Sequence, residues 1–413
     1  MTQIALLGLI LFAYISPVLA LNDAQQLVVE SWRLVNQSYV DSYRFKEIDW
    51  KDLRQKALEK TIENSEQAYK AIEAMLLPLG DPYTKFLRPS DYSMLKSSTE
   101  GNVNGVGIQL GARSSDGHIV VIAPLEGSPA AEAGLISGTE IFEVDGESVD
   151  KLGLEATAAR LRGQSGSQVV IKAILPMNSR NSSQAKSDHQ NVTEFVLDRQ
   201  QIDLHPVQSS ILTANEQKIG YIQITQFSEG VSEQVIKALN EINKQNVEML
   251  IVDLRNNSGG LVNAGLEIAN QLLDKGTIVE TVNRDGISET IQSSKNQLFT
   301  GPMITIVNRG TASAGEILAG ALQDNNRSQL IGGQTFGKGL IQSLISLGDG
   351  SGLTVTVARY MTPQGRDIQK LGITPDYLLA LPEPLNPGED KDLWLSNSKI
   401  LLELSKKSTN KIN

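Results

Sequence analysis

The spacing of apolar and polar positions changes twice along this chain. From Ala24 to about Leu95, apolar residues recur every three or four positions: Leu27, Val28, Trp32, Val35 and Tyr39, then Leu53, Ala57, Leu58 and Ile62, then Tyr69 to Leu77. That period predicts helices with one buried face. Residues 21–100 are therefore expected to form a helical N-terminal domain serving mainly packing or dimerisation, closing on GDPYTKFL at 80–87, a turn followed by a short anchor. At Gly105 the period becomes two. GVGIQLG, HIVVIAPL, EIFEVDG and QVVIKAI read as strands, with SPAAEAGL and LEATAARLRG as short helices between them. From Met177 to Thr193 the chain turns polar and reads as a loop excursion in a last hairpin or linker.

A third regime starts by about Asp198. GYIQITQF is an alternating strand and SEQVIKALNEINKQ an amphipathic helix. Met249–Leu254 is nearly continuous in apolar residues, as a strand buried on both faces of a parallel or mixed sheet requires. A helix Leu261–Leu272, a strand Thr277–Val282, a polar loop through Ser294 and a core strand Met303–Val307 follow. Strands Leu340–Ile345 and Leu353–Ala358 come next, then a terminal helix carrying Leu393, Trp394, Ile400 and Leu404. The expected fold class is mixed, α+β with α/β: a helical part (21–100), a small β-rich domain with its polar loop (101–197) and a mixed-sheet α/β core with a C-terminal extension (198–413).

The 413 residues, 40% hydrophobic and 20% charged, describe a globular protein with a sizeable core. A net charge of −10 lacks the basic footprint of nucleic-acid binding. The absence of cysteine excludes disulfides, a cysteine nucleophile and thiolate metal sites. Three histidines, His118, His189 and His205, lie apart from one another, so a Ser-His-Asp triad has few candidates and a His-based zinc cluster fewer still. Residues 1–20 read as an export signal, apolar from Ile4 to Ile15 and ending at Ala20, with a retained N-terminal anchor as the alternative. Either reading places the folded part outside the cytoplasm.

Candidate chemistry concentrates in ITIVNRGTASAGEILAGALQDNNRSQLIGGQTFGKGLIQ, residues 304–342. Strand, glycine-containing turn and helix follow in order, with Ser313 at the helix start, where unpaired N–H groups favour developing negative charge. By itself a serine there is more often a helix cap. Lys338 stands among four glycines between 332 and 339, a setting that can hold an amine away from water. A serine hydroxyl needs a base, and a lysine serves near neutral pH only if burial brings its pKa to about 7–8, at a cost of about 4 kcal/mol. The scarcity of histidine strengthens Lys338 in that role. At 255–260, RNNSGG joins a strand to a helix. It lacks the lysine and Ser/Thr of a phosphate loop, so its amides are candidate oxyanion donors.

The order of elements from about 102 to 177, with Val-Asp-Gly at 144–146, resembles a PDZ domain. In that family a peptide adds as a strand. The resemblance implies that Gly105, Val106 and Gly107 hold a terminal carboxylate, while Ile108 and Leu110 line the strand side of a groove faced by the helix Leu154–Leu161. Across nearly the whole chain, GDPYTKFL, the PDZ-like segment, DLRNNSGG (253–260), NRGTASAGE (308–316) and GGQTFGKGLIQ (332–342) together resemble the carboxyl-terminal processing proteases, most closely the exported branch of photosynthetic organisms. That family has a helical N-terminal part, an inserted PDZ domain and an α/β protease core of the tail-specific type.

The resemblance implies a serine endopeptidase that removes C-terminal extensions from exported precursors, with Ser313 as nucleophile, Lys338 as general base and Gln342 orienting the lysine. Gly259, Gly260 and Ala314 would supply the oxyanion hole. Glu316 and Asp324 would support the serine, structurally or chemically, and Arg162 would couple tail capture to activation. The family often has Ser at 311 and Ser or Ala at 315, where this chain has Thr and Gly, both still small. The implied chemistry requires no metal, nucleotide or other cofactor, and the implied partners are precursor C-terminal tails, the photosystem II reaction-centre precursor among them. The implied location is the thylakoid lumen or periplasm; peripheral membrane contact is left open and the oligomeric state undetermined. Competing readings are a noncatalytic PDZ-type peptide-binding scaffold and a Ser-Lys hydrolase acting on cell-wall amides or esters.

Overall fold

The computed structural model describes residues 21–409 apart from 60, 113–117, 126, 137, 177–191, 216, 287, 295–296, 381–383, 385–386 and 389–390. The expected export signal and most of the expected polar loop lie outside the described residues.

The C-terminal half is built on a six-stranded sheet in the order Val207–Ala214, Gln217–Ile224, Met249–Asp253, Met303–Val307, Gln329–Gly332, Tyr377–Leu378. The first pair is antiparallel and every later pair parallel. Met249–Asp253 and Met303–Val307 are buried throughout, as their apolar runs predict. Successive side chains enter opposite layers, following the strand period of two. Leu250, Val252, Met303 and Val307 join a core with the helices Val231–Lys244, Val262–Leu272 and Ala314–Asp324. Met249, Ile251, Ile304 and Ile306 pack on the other face against Trp394, Leu395 and Leu402 of the helix Leu393–Thr409. The terminal helix is thus where the sequence places it but turned differently. Of the four apolar residues expected to pack, Trp394 is buried while Leu393, Ile400 and Leu404 are exposed.

A second, antiparallel sheet carries the strand Gly352–Met361 between Leu340–Ser346 and, at its two ends, Lys85–Leu87 and Thr277–Asn283. The polar stretch expected as a loop contains a further strand, Ser288–Gln292, paired with Thr277–Asn283. It is an edge strand made by backbone bonds with mostly exposed side chains, so no apolar alternation marks it.

The N-terminal helices Asp23–Ser38, Trp50–Glu59 and Ser65–Leu76 form as the periodicity predicts, the first opened by an Asn22/Gln25 capping box. They do not close a core of their own. Leu347, Leu353 and Val355 of the second sheet complete it, and Val40 N donates to Thr356 O at 2.8 Å.

The β-rich insert has strands Ile108–Ala112, Ile119–Pro124, Glu140–Val144, Gln168–Ile174 and Val192–Asp198 in antiparallel array, so the polar excursion falls within a hairpin. Its helix Val149–Leu161 breaks at Gly153 (φ 73°, ψ 173°), which makes Leu154 the start of the regular part. The insert is tied to the core by the pair Asn102–Gly105 and Gln200–Asp203.

Candidate active site

Ser313 sits between the buried strand Met303–Val307 and the helix Ala314–Asp324 with φ 52° and ψ −118°, a conformation that costs an L-residue about 1–3 kcal/mol. The turn is held from several sides. Asn308 Oδ1 accepts from Asn256 N (2.9 Å) and Gly310 N (3.0 Å), the Thr311 hydroxyl donates to Leu254 O (2.8 Å), and Ala312 N donates to Asn257 O (2.9 Å). These bonds lock the serine turn to the 254–260 loop. Thr311 keeps the hydroxyl this requires. Its extra methyl faces the space left by Gly315, where an added Cβ would meet Thr311 Cγ2 at 3.3 Å, so the two departures from the family pattern compensate in volume.

Glu316, one turn into the helix and fully buried, gathers the site. Oε2 accepts from Ser313 N (3.0 Å) and Lys338 N (2.9 Å); Oε1 accepts from the Thr335 hydroxyl (2.6 Å) and Gly337 N (2.8 Å). Sharing one oxygen keeps the two backbone nitrogens within about 6 Å. Tyr360 does the same for the carbonyls, its hydroxyl lying 3.1 Å from Ser313 O and 2.7 Å from Lys338 O. Burial, and secondarily the Glu316 charge, pushes that phenol well above its ordinary range, so it stays a donor.

Lys338 is half-buried, and burial pushes its amine below the ordinary lysine range. The Lys85 charge acts the same way, while Asp81 and Glu316 oppose. Its Nζ stands 4.9 Å from the centre of the Tyr83 ring. Among the described residues the amine makes no hydrogen bond. The expected bond from Gln342 is therefore absent, and Gln342 Nε2 is buried without a partner among the described residues. Gln342 follows a register break between Ile341 and Gln342, and Lys338 Nζ is drawn toward Tyr83 instead.

Gly259 lies against the serine, since a Cβ there would meet Ser313 Cβ at 2.8 Å and Ala312 O at 2.9 Å. Its amide is not an open donor, because Gly259 N donates to Asn257 Oδ1 at 2.9 Å. Gly260 N and Ala314 N have no partner among the described residues. The loop is fixed from below by Arg255, fully buried between Asp253 (Nε–Oδ1 2.9 Å) and Asp392 (Nη1–Oδ1 3.1 Å). Asp324 is not near the serine. It ends the helix, about 15 Å along the axis, where it accepts from Gln364 N and pairs with Arg366.

A cavity of about 730 Å³ joins the insert to this site. Gly105, Val106, Gly107, Ile108, Leu110 and Leu154 line it from the insert and Asn256, Ser258 and Gly310 from the core, with Arg162 and His205 also on its wall. The Gly107 amide donates to no described residue, and Gly107 takes φ 74° with Ser128 packed where a Cβ would stand. Arg162 is exposed and bridges to Gly105 through the backbone. Among the described residues no cluster of His, Cys, Asp and Glu is arranged to hold a metal. Sequence reasoning missed Asn257, Asn308, Thr335 and Tyr360, and it read Tyr83 only as part of a turn. The asparagines stood inside quoted motifs, whereas nothing around Tyr360 in the chain marks it.

Fold and site define a serine peptidase carrying a PDZ domain. A model of peptidase family S41 matches residues 218–379 and one of the PDZ domain matches residues 120–174. The chain is 43% identical over 403 residues to a carboxyl-terminal-processing protease of Picosynechococcus sp., covering 97% of this chain and 94% of that one. It is 40% identical over 364 residues to carboxyl-terminal-processing peptidase 3, chloroplastic, of Arabidopsis thaliana, covering 86% and 69%. The solved structure of the photosystem II D1 C-terminal processing protease is similar with a TM-score of 0.66 at 36% identity, over 89% of this chain and 96% of that one. The chain belongs to the carboxyl-terminal-processing protease family and is an enzyme, a serine endopeptidase of the Ser-Lys type acting on the C-terminal tails of precursor proteins.

Proposed function

We propose that Ser313 is the nucleophile and Lys338 its general base, and that the substrate tail runs through the joining cavity. The observation that carries this reading is the continuity of that cavity from the groove beside Ile108 and Leu154 to Asn256, Ser258 and Gly310, at the serine turn. The tail's carboxylate meets the Val106 and Gly107 amides, the last residues add as a strand beside Ile108–Ala112, and the preceding segment is led to Ser313.

Neutral Lys338 takes the Ser313 Oγ proton as the oxygen attacks the peptide carbonyl. The oxyanion forms against Ala314 N and Gly260 N, each donor worth about 3–4 kcal/mol; Gly259 contributes by having no side chain. Protonated Lys338 then gives its proton to the leaving amine, and the same amine assists water against the acyl-enzyme. The orphaned Gln342 Nε2 is in reserve for the serine–lysine geometry once substrate is bound, since apo sites commonly hold such bonds long. Arg162, on the wall of the same cavity, links tail occupancy to the catalytic end.

The chloroplast relatives and the D1-processing structure support an exported location, the thylakoid lumen or periplasm, and the photosystem II reaction-centre precursor as a substrate. The test is cleavage of that precursor's C-terminal segment by the full chain. S313A and K338A should abolish turnover and keep tail binding, because neither lines the groove. Full cleavage by K338A would overturn the base assignment, and binding without cleavage by the unmodified chain would favour the scaffold.

A further inference from the structure

The Lys338 amine makes no hydrogen bond or ion pair among the described residues, yet it is held in a definite place. Its recorded neighbour is the Tyr83 ring, 4.9 Å from Nζ to the ring centre, well inside the distance at which a ring face attracts a cation. The two residues come from opposite ends of the chain, and the tyrosine is fixed in an elaborate way. Asp81 accepts from Tyr83 N (2.9 Å), the Thr84 hydroxyl (2.7 Å) and the Thr356 hydroxyl (2.6 Å). Thr354 donates its hydroxyl to Tyr83 O (2.8 Å), and Thr356 N donates to Thr84 Oγ1 (3.0 Å). The strand Gly352–Met361 that receives these bonds also carries Tyr360, the phenol on the Ser313 and Lys338 carbonyls. One strand therefore registers the lysine's backbone and the ring beneath its amine. The Tyr83 hydroxyl donates to no described residue, which leaves the ring face as the working part.

We propose that Tyr83, supplied by the N-terminal region, is a positioning residue for Lys338, holding Nζ by its ring face and setting the pH at which the lysine becomes an acceptor. This rests on the reading of Lys338 as base. The GDPYT turn then belongs to the active site's support, and the N-terminal region does more than pack. The charged and titratable groups facing the amine are Tyr83 itself, Asp81 and Lys85 from the same segment, Glu316 from the serine helix and Tyr360 from the long strand. The ring favours the ammonium form, against burial and Lys85. Weakening it should let the lysine lose its proton at lower pH and leave Nζ less well placed.

The experiment replaces Tyr83 in the full chain by Phe, difluoro-Phe and pentafluoro-Phe, which keep the ring's shape while draining and then inverting its negative face, with Y83L as the variant lacking a ring. The acid limb of kcat/KM against pH is read for each, with K338A alongside. The expected result is a limb close to that of the unmodified chain for Y83F and one displaced downward by about 0.5–1 pH unit for pentafluoro-Phe and Y83L. The fall in activity on the plateau should appear in kcat more than in KM. Coincident limbs across the fluorinated series would overturn the proposal while an inert K338A left the base assignment standing. Y83F behaving like Y83L would overturn it too, by assigning the effect to the hydroxyl. K338A that still cleaves would overturn both. Should Y83L fail to fold, the isosteric series decides alone.

Discussion

The backbone amides of Ser313 and Lys338 converge on a single oxygen, Glu316 Oε2, at 3.0 and 2.9 Å. Glu316 is three residues from the serine, and its other oxygen holds Thr335 and Gly337 of the lysine loop. The carboxylate therefore acts as a tie between two segments that the chain itself separates by a helix and a strand. Buried and accepting four bonds, it needs both oxygens as acceptors.

An amide at this position turns one pair of those bonds into donor–donor contacts. E316Q should lose about 2–4 kcal/mol of stability and reduce kcat roughly 100-fold with tail binding retained. Thermal unfolding and kcat with KM on a tail peptide are the measurements. An E316Q enzyme with unmodified kcat would show that the tie does not set the dyad.

Tyr360 serves the carbonyl side of the same junction. Y360F removes the shared donor from Ser313 O and Lys338 O, and should cost about 1–2 kcal/mol and roughly tenfold in kcat, with KM little changed. A rise in KM alone would place its role in substrate binding instead.

Burial holds the Lys338 amine below the ordinary lysine value of 10.5. Between the depressed value and 10.5 the unfolded chain binds more protons than the folded one, so stability rises with pH through that window. K338M, similar in length and without charge, should be inactive yet melt about 1–3 °C higher at neutral pH. The gap should close as pH rises toward 10.5. A K338M protein less stable than the unmodified chain at neutral pH would contradict a net cost for the buried amine.

Arg255 lies beneath the 256–260 loop between Asp253 and Asp392. Burial works to raise the Asp392 carboxyl, but the hydrogen bond and charge of Arg255 outweigh it and hold it below the usual carboxylate range. Its contribution is present above the unfolded carboxyl value and lost as pH falls through the depressed one. D392A leaves the buried guanidinium with Asp253 alone and Nη1 without its acceptor, and should cost about 1.5–3 kcal/mol at neutral pH, a difference that shrinks below about pH 4. Denaturant midpoints across pH check this, and a difference independent of pH would mean that packing of the terminal helix, not its charge, is what Asp392 supplies.

The serine turn was legible because strand, glycine, small residues and apolar helix follow one another within a short stretch, where local pattern and local structure coincide. The terminal helix shows the limit of that reasoning. Leu393, Ile400 and Leu404 are as apolar as Leu395 and Leu402, and which set faces the sheet is decided by Asp392, whose bonds to Arg255 and to Leu395 N fix the first turn. The Gly259 amide shows another limit, since a glycine pair advertises open donors but not which one Asn257 has already taken.

By itself the sequence determined the order and type of the main elements, the two buried parallel strands and the β-rich insert, and it singled out Ser313 and Lys338 as candidates. Each of these follows from periodicity, composition or short motifs, which act over a few residues. Only the tertiary structure decided how Ser313 and Lys338 are joined through Glu316 and Tyr360, that Lys338 rests over Tyr83, that Asp324 stands away from the serine and that the groove opens toward the serine turn. Those relations depend on strand register and on burial of particular polar atoms, which are set when distant segments pack and leave no periodic trace in the chain.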